Sequence, residues 1–156
     1  MKSELEGYSK NLTVGQQQSL SQVLPPGLDR PLLDRIEQVS PAALAYLGDA
    51  VYELYVRAHY LLPPKRLRVY HQQVVAQVRA EAQANYLRSL QPHLTDTERE
   101  VLRQGRNAAS GGPKRVSPLL YQQATSFETL LGYLYLTDPE RLAQLCNTLA
   151  FDPPDI

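Results

Sequence analysis

Asp49 and Glu128 stand almost alone as charges in long uncharged surroundings. Between Glu37 and Glu53 the only charged residue is Asp49, within PAALAYLGDAVY. Between Arg115 and Asp138 the only one is Glu128, within VSPLLYQQATSFETLLGYLYLT. Both stretches read as buried helices, where an isolated ionised carboxylate costs roughly several kcal/mol unless something compensates it. Neither run contains a Lys or Arg. The economical solution is that the two acids meet in space and share a cation. Magnesium suits such a pair, because it takes hard oxygen ligands and is commonly held by one or two carboxylates plus substrate phosphates. That chemistry activates water and stabilises the charge on a phosphate in transfer. The plain alternative puts each acid on an exposed strip of its helix, solvated and idle. Glu53, one helical turn after Asp49, either joins the site or simply ends the apolar run, and the second reading is preferred.

A second group of residues is basic. Arg99, Arg103, Arg106, Lys114 and Arg115 face only Glu100 as a local acid. Interleaved with Asn107, Ser110, Gly111 and Gly112, they are expected to form a mobile, donor-rich segment suited to phosphate contacts. Lys65, Arg66 and Arg68 beside Tyr70 and His71 form a smaller cluster, for which a solvated face is the default. The ten tyrosines raise the prospect of base stacking, but Tyr46, Tyr52, Tyr55, Tyr133 and Tyr135 fall on helical stripes where packing is expected. His59, His71 and His93 lack partners at metal-ligand spacing, so zinc is not expected. No glycine-rich phosphate loop is present.

Proline and capping signals delimit the elements that must position these residues. Ser40-Pro41 opens a helix to about Leu61, and a second is expected from about Leu67 to Leu90. Thr95-Asp96-Thr97-Glu98 is a capping box for a third helix to about Gln104, followed by the polar loop GRNAASGGPKR. Ser117-Pro118 starts a fourth helix to about Leu136, and Asp138-Pro139 a fifth to about Leu149. Leu44, Leu47, Val51 and Leu54 are taken as the core stripe of the first helix. Leu120, Phe127, Leu131 and Leu134 are that of the fourth. Gly48 and Gly132 lie mid-helix, where glycine costs about 1 kcal/mol relative to alanine, so close approach by another helix is expected. Two helices apolar on several sides exceed the needs of one small core, and a dimer interface would use the surplus.

Residues 1–31 read as a flexible N-terminal extension, 32–150 as one all-α domain, and 151–156 as a C-terminal tail. The chain has 156 residues with 16 Lys+Arg balanced by 16 Asp+Glu, so there is no global basic signal for nucleic acid. A single cysteine, Cys146, excludes an intramolecular disulfide and fits a reducing compartment. With no apolar leader and no apolar run of about 18–20 residues, the expected location is the cytoplasm.

LAYLGDAVYE, from Leu44 to Glu53, resembles the signature helix of the ribonuclease III family, whose core is LGDA. Ser110-Gly111-Gly112 with its basic pair, and then FETLLGYLYL from Phe127, resemble that family's second acidic block in the correct order. ALAYLGDAVYELYVR, the GRNA of Gly105 to Ala108, and SFETLLGYLYL match its bacterial Mini branch, a bare catalytic domain. The likeness covers about residues 34–149.

The resemblance implies an all-α ribonuclease III endonuclease-domain fold, a symmetric homodimer, and magnesium-dependent cleavage of double-stranded RNA that leaves a 5′-phosphate. It also implies maturation of the ends of large-subunit (23S) ribosomal RNA precursor. The LGDA aspartate maps to Asp49 and the second-block glutamate to Glu128, as catalytic residues and metal ligands. Arg106, Asn107, Lys114 and Arg115 become the candidate RNA contacts. Where the wider family has a glutamate and another aspartate, this chain has Ala45 and Thr125, as is common in the Mini branch. Two sure carboxylates per subunit put a two-ion mechanism in doubt. No double-stranded RNA-binding domain is expected, so affinity must come from the catalytic dimer or from a partner presenting the RNA, such as a ribosomal protein. A non-catalytic RNA-binding or ribosome-associated dimer of the same fold stays open, as does a helical protein-binding adaptor.

Overall fold

A computed structural model describes residues 33–151; the extension expected over 1–31 and most of the C-terminal tail lie outside the described residues. A 3₁₀ turn, Leu33–Gln38, leads into six α-helices: α1 (Pro41–Tyr60), α2 (Leu67–Val78), α3 (Ala80–Leu90), α4 (Asp96–Ala108), α5 (Pro118–Thr137) and α6 (Pro139–Asn147). The all-α expectation therefore holds for the described residues. Every capping signal read from the sequence is used. Ser40, Ser117 and Asp138 each accept a backbone N–H at the start of α1, α5 and α6 with proline at the first helical position. Thr95 and Glu98 form the reciprocal capping box of α4.

α5 is the central helix, packed by α1, α3, α4 and α6. Its apolar residues point in all directions because neighbours surround it: Phe127, Leu130, Leu131 and Leu134 are all fully buried or nearly so. Tyr52 of α1 meets Phe127 edge-to-face with ring centroids 5.1 Å apart, a favoured aromatic geometry. Phe151, placed by the sequence in the tail, lies against Tyr52, Tyr55, His59, Tyr60 and Tyr86.

α1 and α5 cross with their backbones in contact. A Cβ added at Gly48 would fall 1.7 Å from the Glu128 carbonyl oxygen, and one at Gly132 would fall 2.0 Å from that of Leu44. The two mid-helix glycines are thus partners within one chain. The close approach expected at Gly48 is this crossing within the chain.

Three elements differ from the sequence reading. The buried stripe of α1 is Leu44, Ala45, Gly48, Tyr52, Val56 and Tyr60, whereas Leu47 and Val51 are half-buried and Leu54 is exposed. Close crossing selects the face with small residues, which leaves the larger leucines outside. The helix expected over 67–90 is two, because Arg79 adopts an extended conformation between α2 and α3. No proline or glycine marks that break. Finally, α4 continues to Ala108, so Arg106 and Asn107 sit on its last turn and not in the loop.

Candidate active site

The Gly48–Gly132 crossing sets the site. Asp49 follows Gly48 on α1, and the Glu128 backbone is the surface against which Gly48 packs. Asp49 is exposed and Glu128 half-buried. Only Glu128 is therefore the enclosed acid that the sequence made of both. Successive helical residues turn by about 100°, so Asp49 lies at the rim of the face on which Gly48 is buried. The two carboxyl groups nevertheless meet. Burial pushes the Glu128 carboxyl upward, the negative charge of Asp49 pushes it further, and a hydrogen bond from protonated Glu128 to Asp49 adds to both. Gln83 Nε2, donating to Glu128 Oε1 at 3.2 Å, opposes them. The outcome is a carboxyl raised to about 7. Among the described residues neither acid has a salt-bridge partner.

Glu53 is held by its own helix: Arg57 Nη2 donates to Glu53 Oε1 at 2.7 Å. Lys65 Nζ donates to the Tyr60 carbonyl at 2.7 Å and to Gln73 Oε1 at 2.9 Å, which caps the end of α1. Of the expected phosphate contacts, Arg106, Asn107, Lys114 and Arg115 are all exposed. Among the described residues no hydrogen bond or ion pair joins any of the four to Asp49 or Glu128. Arg106 instead shares a cleft of about 350 Å³ with Arg99, Arg103, Gln91 and Gln123 between α3, α4 and α5. Arg99 and Arg103 carry acids of their own, Asp96 and Glu100.

Gln83 is the site residue that the sequence did not reveal. It is 2% exposed, and its Nε2 donates to both the Val78 carbonyl (2.8 Å) and Glu128. Its signal, a glutamine among alanines on an otherwise ordinary helix, has meaning only once α3 is known to face Glu128.

The donor set fits a divalent cation. Two hard-oxygen ligands stand on crossing helices with no ion-pair partner among the described residues, and Glu128 is raised first by burial and then by the charge of Asp49. Among the described residues no cluster of three or more His, Cys, Asp or Glu is present. A divalent cation held by the pair would take its remaining ligands from water and phosphate. No helix among the described residues is long and apolar enough to cross a membrane.

A family model described as the Ribonuclease III domain matches residues 42–139, which include both acids. Curated relatives are similar throughout this region. A Mini-ribonuclease 3 from Thermosynechococcus vestitus is 60% identical over 113 residues, covering 72% of this chain and 75% of the relative. One from Synechocystis is 59% identical over 110 residues, covering 70% and 77%. The fold is similar to the crystal structure of a Fusobacterium nucleatum protein, with a TM-score of 0.67 and 26% identity over 72% of this chain and 93% of the other. The chain belongs to the ribonuclease III family, in its Mini-ribonuclease 3 branch, and is an endoribonuclease.

Proposed function

We propose that this protein is a magnesium-dependent endoribonuclease of double-stranded RNA, acting in the cytoplasm as a homodimer to mature the ends of 23S ribosomal RNA precursor. The observation that carries the reading is the Asp49–Glu128 pair, two acids brought together by a glycine crossing with no cationic partner among the described residues. Family membership supports the double-stranded substrate, and the ribosomal role is what the sequence resemblance implies.

In this reading Asp49 and Glu128 are catalytic residues and metal ligands. Glu128 is held from the interior, and Asp49 is reached from solvent, the side from which substrate arrives. A magnesium ion held there supplies Lewis-acid polarisation of a phosphate and activation of attacking water. Arg106, Asn107, Lys114 and Arg115 bind backbone phosphates. A-form RNA is recognised largely by shape and 2′-hydroxyls, which agrees with a chain of zero net charge. A ribosomal protein that presents the RNA would add affinity.

The outward face of α1 supports the dimer. Leu47, Val51 and Leu54 open with Tyr135 and Leu142 onto an apolar groove of about 310 Å³, and Leu54 is 56% exposed. Covering such a surface by a two-fold copy makes an isologous interface.

The test is incubation of purified protein with an end-labelled RNA hairpin, with magnesium and with a chelator. Magnesium-dependent cleavage to 5′-phosphate products is expected. Binding of the hairpin without cleavage would replace this reading by a non-catalytic RNA-binding dimer.

A further inference from the structure

We infer that Gln83 is the positioning residue of this site: its amide nitrogen, anchored on the Val78 carbonyl, holds Glu128 Oε1 and fixes the orientation in which Glu128 meets a divalent cation. The inference rests on the reading of Asp49 and Glu128 as metal ligands.

The argument begins at Arg79. Its extended backbone ends α2 at Val78 and restarts the chain as α3. A helix end leaves its last carbonyls without helical donors, and here buried side chains supply them. Tyr52 Oη donates to the Gln77 carbonyl at 2.9 Å, and Gln83 Nε2 to the Val78 carbonyl at 2.8 Å. The second Nε2 hydrogen goes to Glu128 at 3.2 Å. Both partners are acceptors, so they fix which end of the amide is nitrogen. A flipped amide would set its oxygen against a carbonyl and a carboxylate. The amide plane is therefore pinned at one point to main chain and at another to the candidate ligand.

The other end of the same amide makes this a functional assignment. Gln83 Oε1 is buried with no hydrogen-bond partner among the described residues, a state that costs about 1–3 kcal/mol. Packing alone would be better served by leucine or methionine. A side chain kept in the core at that cost is kept for its NH₂ group, and one of the two acceptors of that group is Glu128. The stiffness matters because, among the described residues, the site has two protein carboxylates and no cluster of three. With two ligands to define the geometry, the rotamer of Glu128 decides how well the pair fits an ion. Partners of this kind orient ligands, and their loss costs about 10–100-fold in metal affinity or activity.

The experiment titrates the full chain with Mn²⁺, a paramagnetic stand-in for magnesium, and follows free ion by electron paramagnetic resonance without RNA. Gln83→Met keeps the length of the side chain and loses the amide. Gln83→Asn keeps the amide and loses the reach. Tyr86→Phe is the structural control, because Tyr86 Oη donates to Gln77 Oε1 in the same α2–α3 junction. Both Gln83 variants are expected to bind Mn²⁺ about 10–100-fold more weakly and to lower kcat while KM for the hairpin is kept. Tyr86→Phe is expected to lower Tm and to keep Mn²⁺ affinity. If Glu128→Gln loses Mn²⁺ while folded Gln83→Met or Gln83→Asn binds it as wild type does, the role of Gln83 is overturned and the metal site stands. If Glu128→Gln also binds as wild type does, the metal site falls and the role of Gln83 falls with it.

Discussion

Glu98 and Glu128 are glutamates on adjacent helices, one buried and one half-buried, yet their surroundings do opposite things. Glu98, 4% exposed, is clasped by Arg141, whose Nε and Nη2 donate to its two oxygens at 2.7 and 3.1 Å. The Thr95 backbone N–H donates to it as well. These donors, Arg141 foremost, hold its carboxyl below the ordinary range. Glu128 has one neutral amide donor and another acid, and its carboxyl is raised to about 7. A buried carboxylate whose charge is matched inside the protein is a fastener. One whose charge is left unmatched is a socket for a cation from outside. Burial alone does not distinguish them; the sign of the nearest charge does.

The largest effect separates the two by activity. Asp49→Asn and Glu128→Gln are each expected to reduce RNA cleavage by more than the roughly 100-fold that loss of a ligand-supporting partner costs. Glu98→Gln should keep cleavage per folded molecule, measured as initial rate on a labelled hairpin after correction for folded fraction. Full activity in either site variant would erase the distinction.

Stability separates them in the other direction. Arg141→Met strands the Glu98 charge and is expected to cost about 2–4 kcal/mol in urea unfolding at pH 7. A loss no larger than that of an exposed pair such as Arg57–Glu53, about 0–1 kcal/mol, would mean that the clasp fastens nothing.

A smaller effect is the dependence of stability on pH. Glu98 lies below its ordinary value of 4.5, so its contribution is complete above that value and is lost as pH falls through its lower folded value. Glu128 lies above 4.5, at about 7, so its contribution is complete below 4.5 and is lost as pH rises to 7. In metal-free unfolding measurements, Arg141→Met should therefore flatten the acid limb. Glu128→Gln should remove a decline between pH 4.5 and 7. Difference curves against wild type cancel groups common to both.

The smallest expected effect concerns RNA binding outside the pair. Replacing Arg106, Lys114 and Arg115 by alanine should weaken hairpin binding and lower the slope of log affinity against log salt by roughly 0.7–0.9 for each phosphate that is no longer neutralised. An unchanged slope would place these residues away from RNA.

Much of this architecture was legible in the sequence because it depends on local rules. Ser40, Ser117 and Asp138 cap the helices they announce, and Gly48 and Gly132 mark a close crossing. The isolated acids also announce themselves, since few charges are expected where apolar residues surround them. What stayed hidden depends on faces and partners. Leu47, Val51 and Leu54 resemble a core stripe by size, but the crossing chose Ala45 and Gly48, and Asp49 came to lie at the rim. The break at Arg79 has no local signal, since the carbonyls before it are satisfied by Tyr52 and Gln83, neither of which marks it in the sequence. Gln83 itself is unreadable without α5 beside it. The capping box identified Glu98, but nothing near it in sequence announces Arg141, 43 residues later.

The central claim is that Glu128, with Asp49, carries charge that awaits a cation. Thermal unfolding at pH 8, with magnesium titrated into wild type, Asp49→Asn and Glu128→Gln, tests it most directly. Without magnesium, Glu128→Gln is expected to be more stable than wild type by about 1–3 kcal/mol. Added magnesium should raise the wild-type Tm through binding to the folded state alone and leave both variants nearly unchanged. A Glu128→Gln protein less stable than wild type, with a wild-type Tm indifferent to magnesium, would contradict the account.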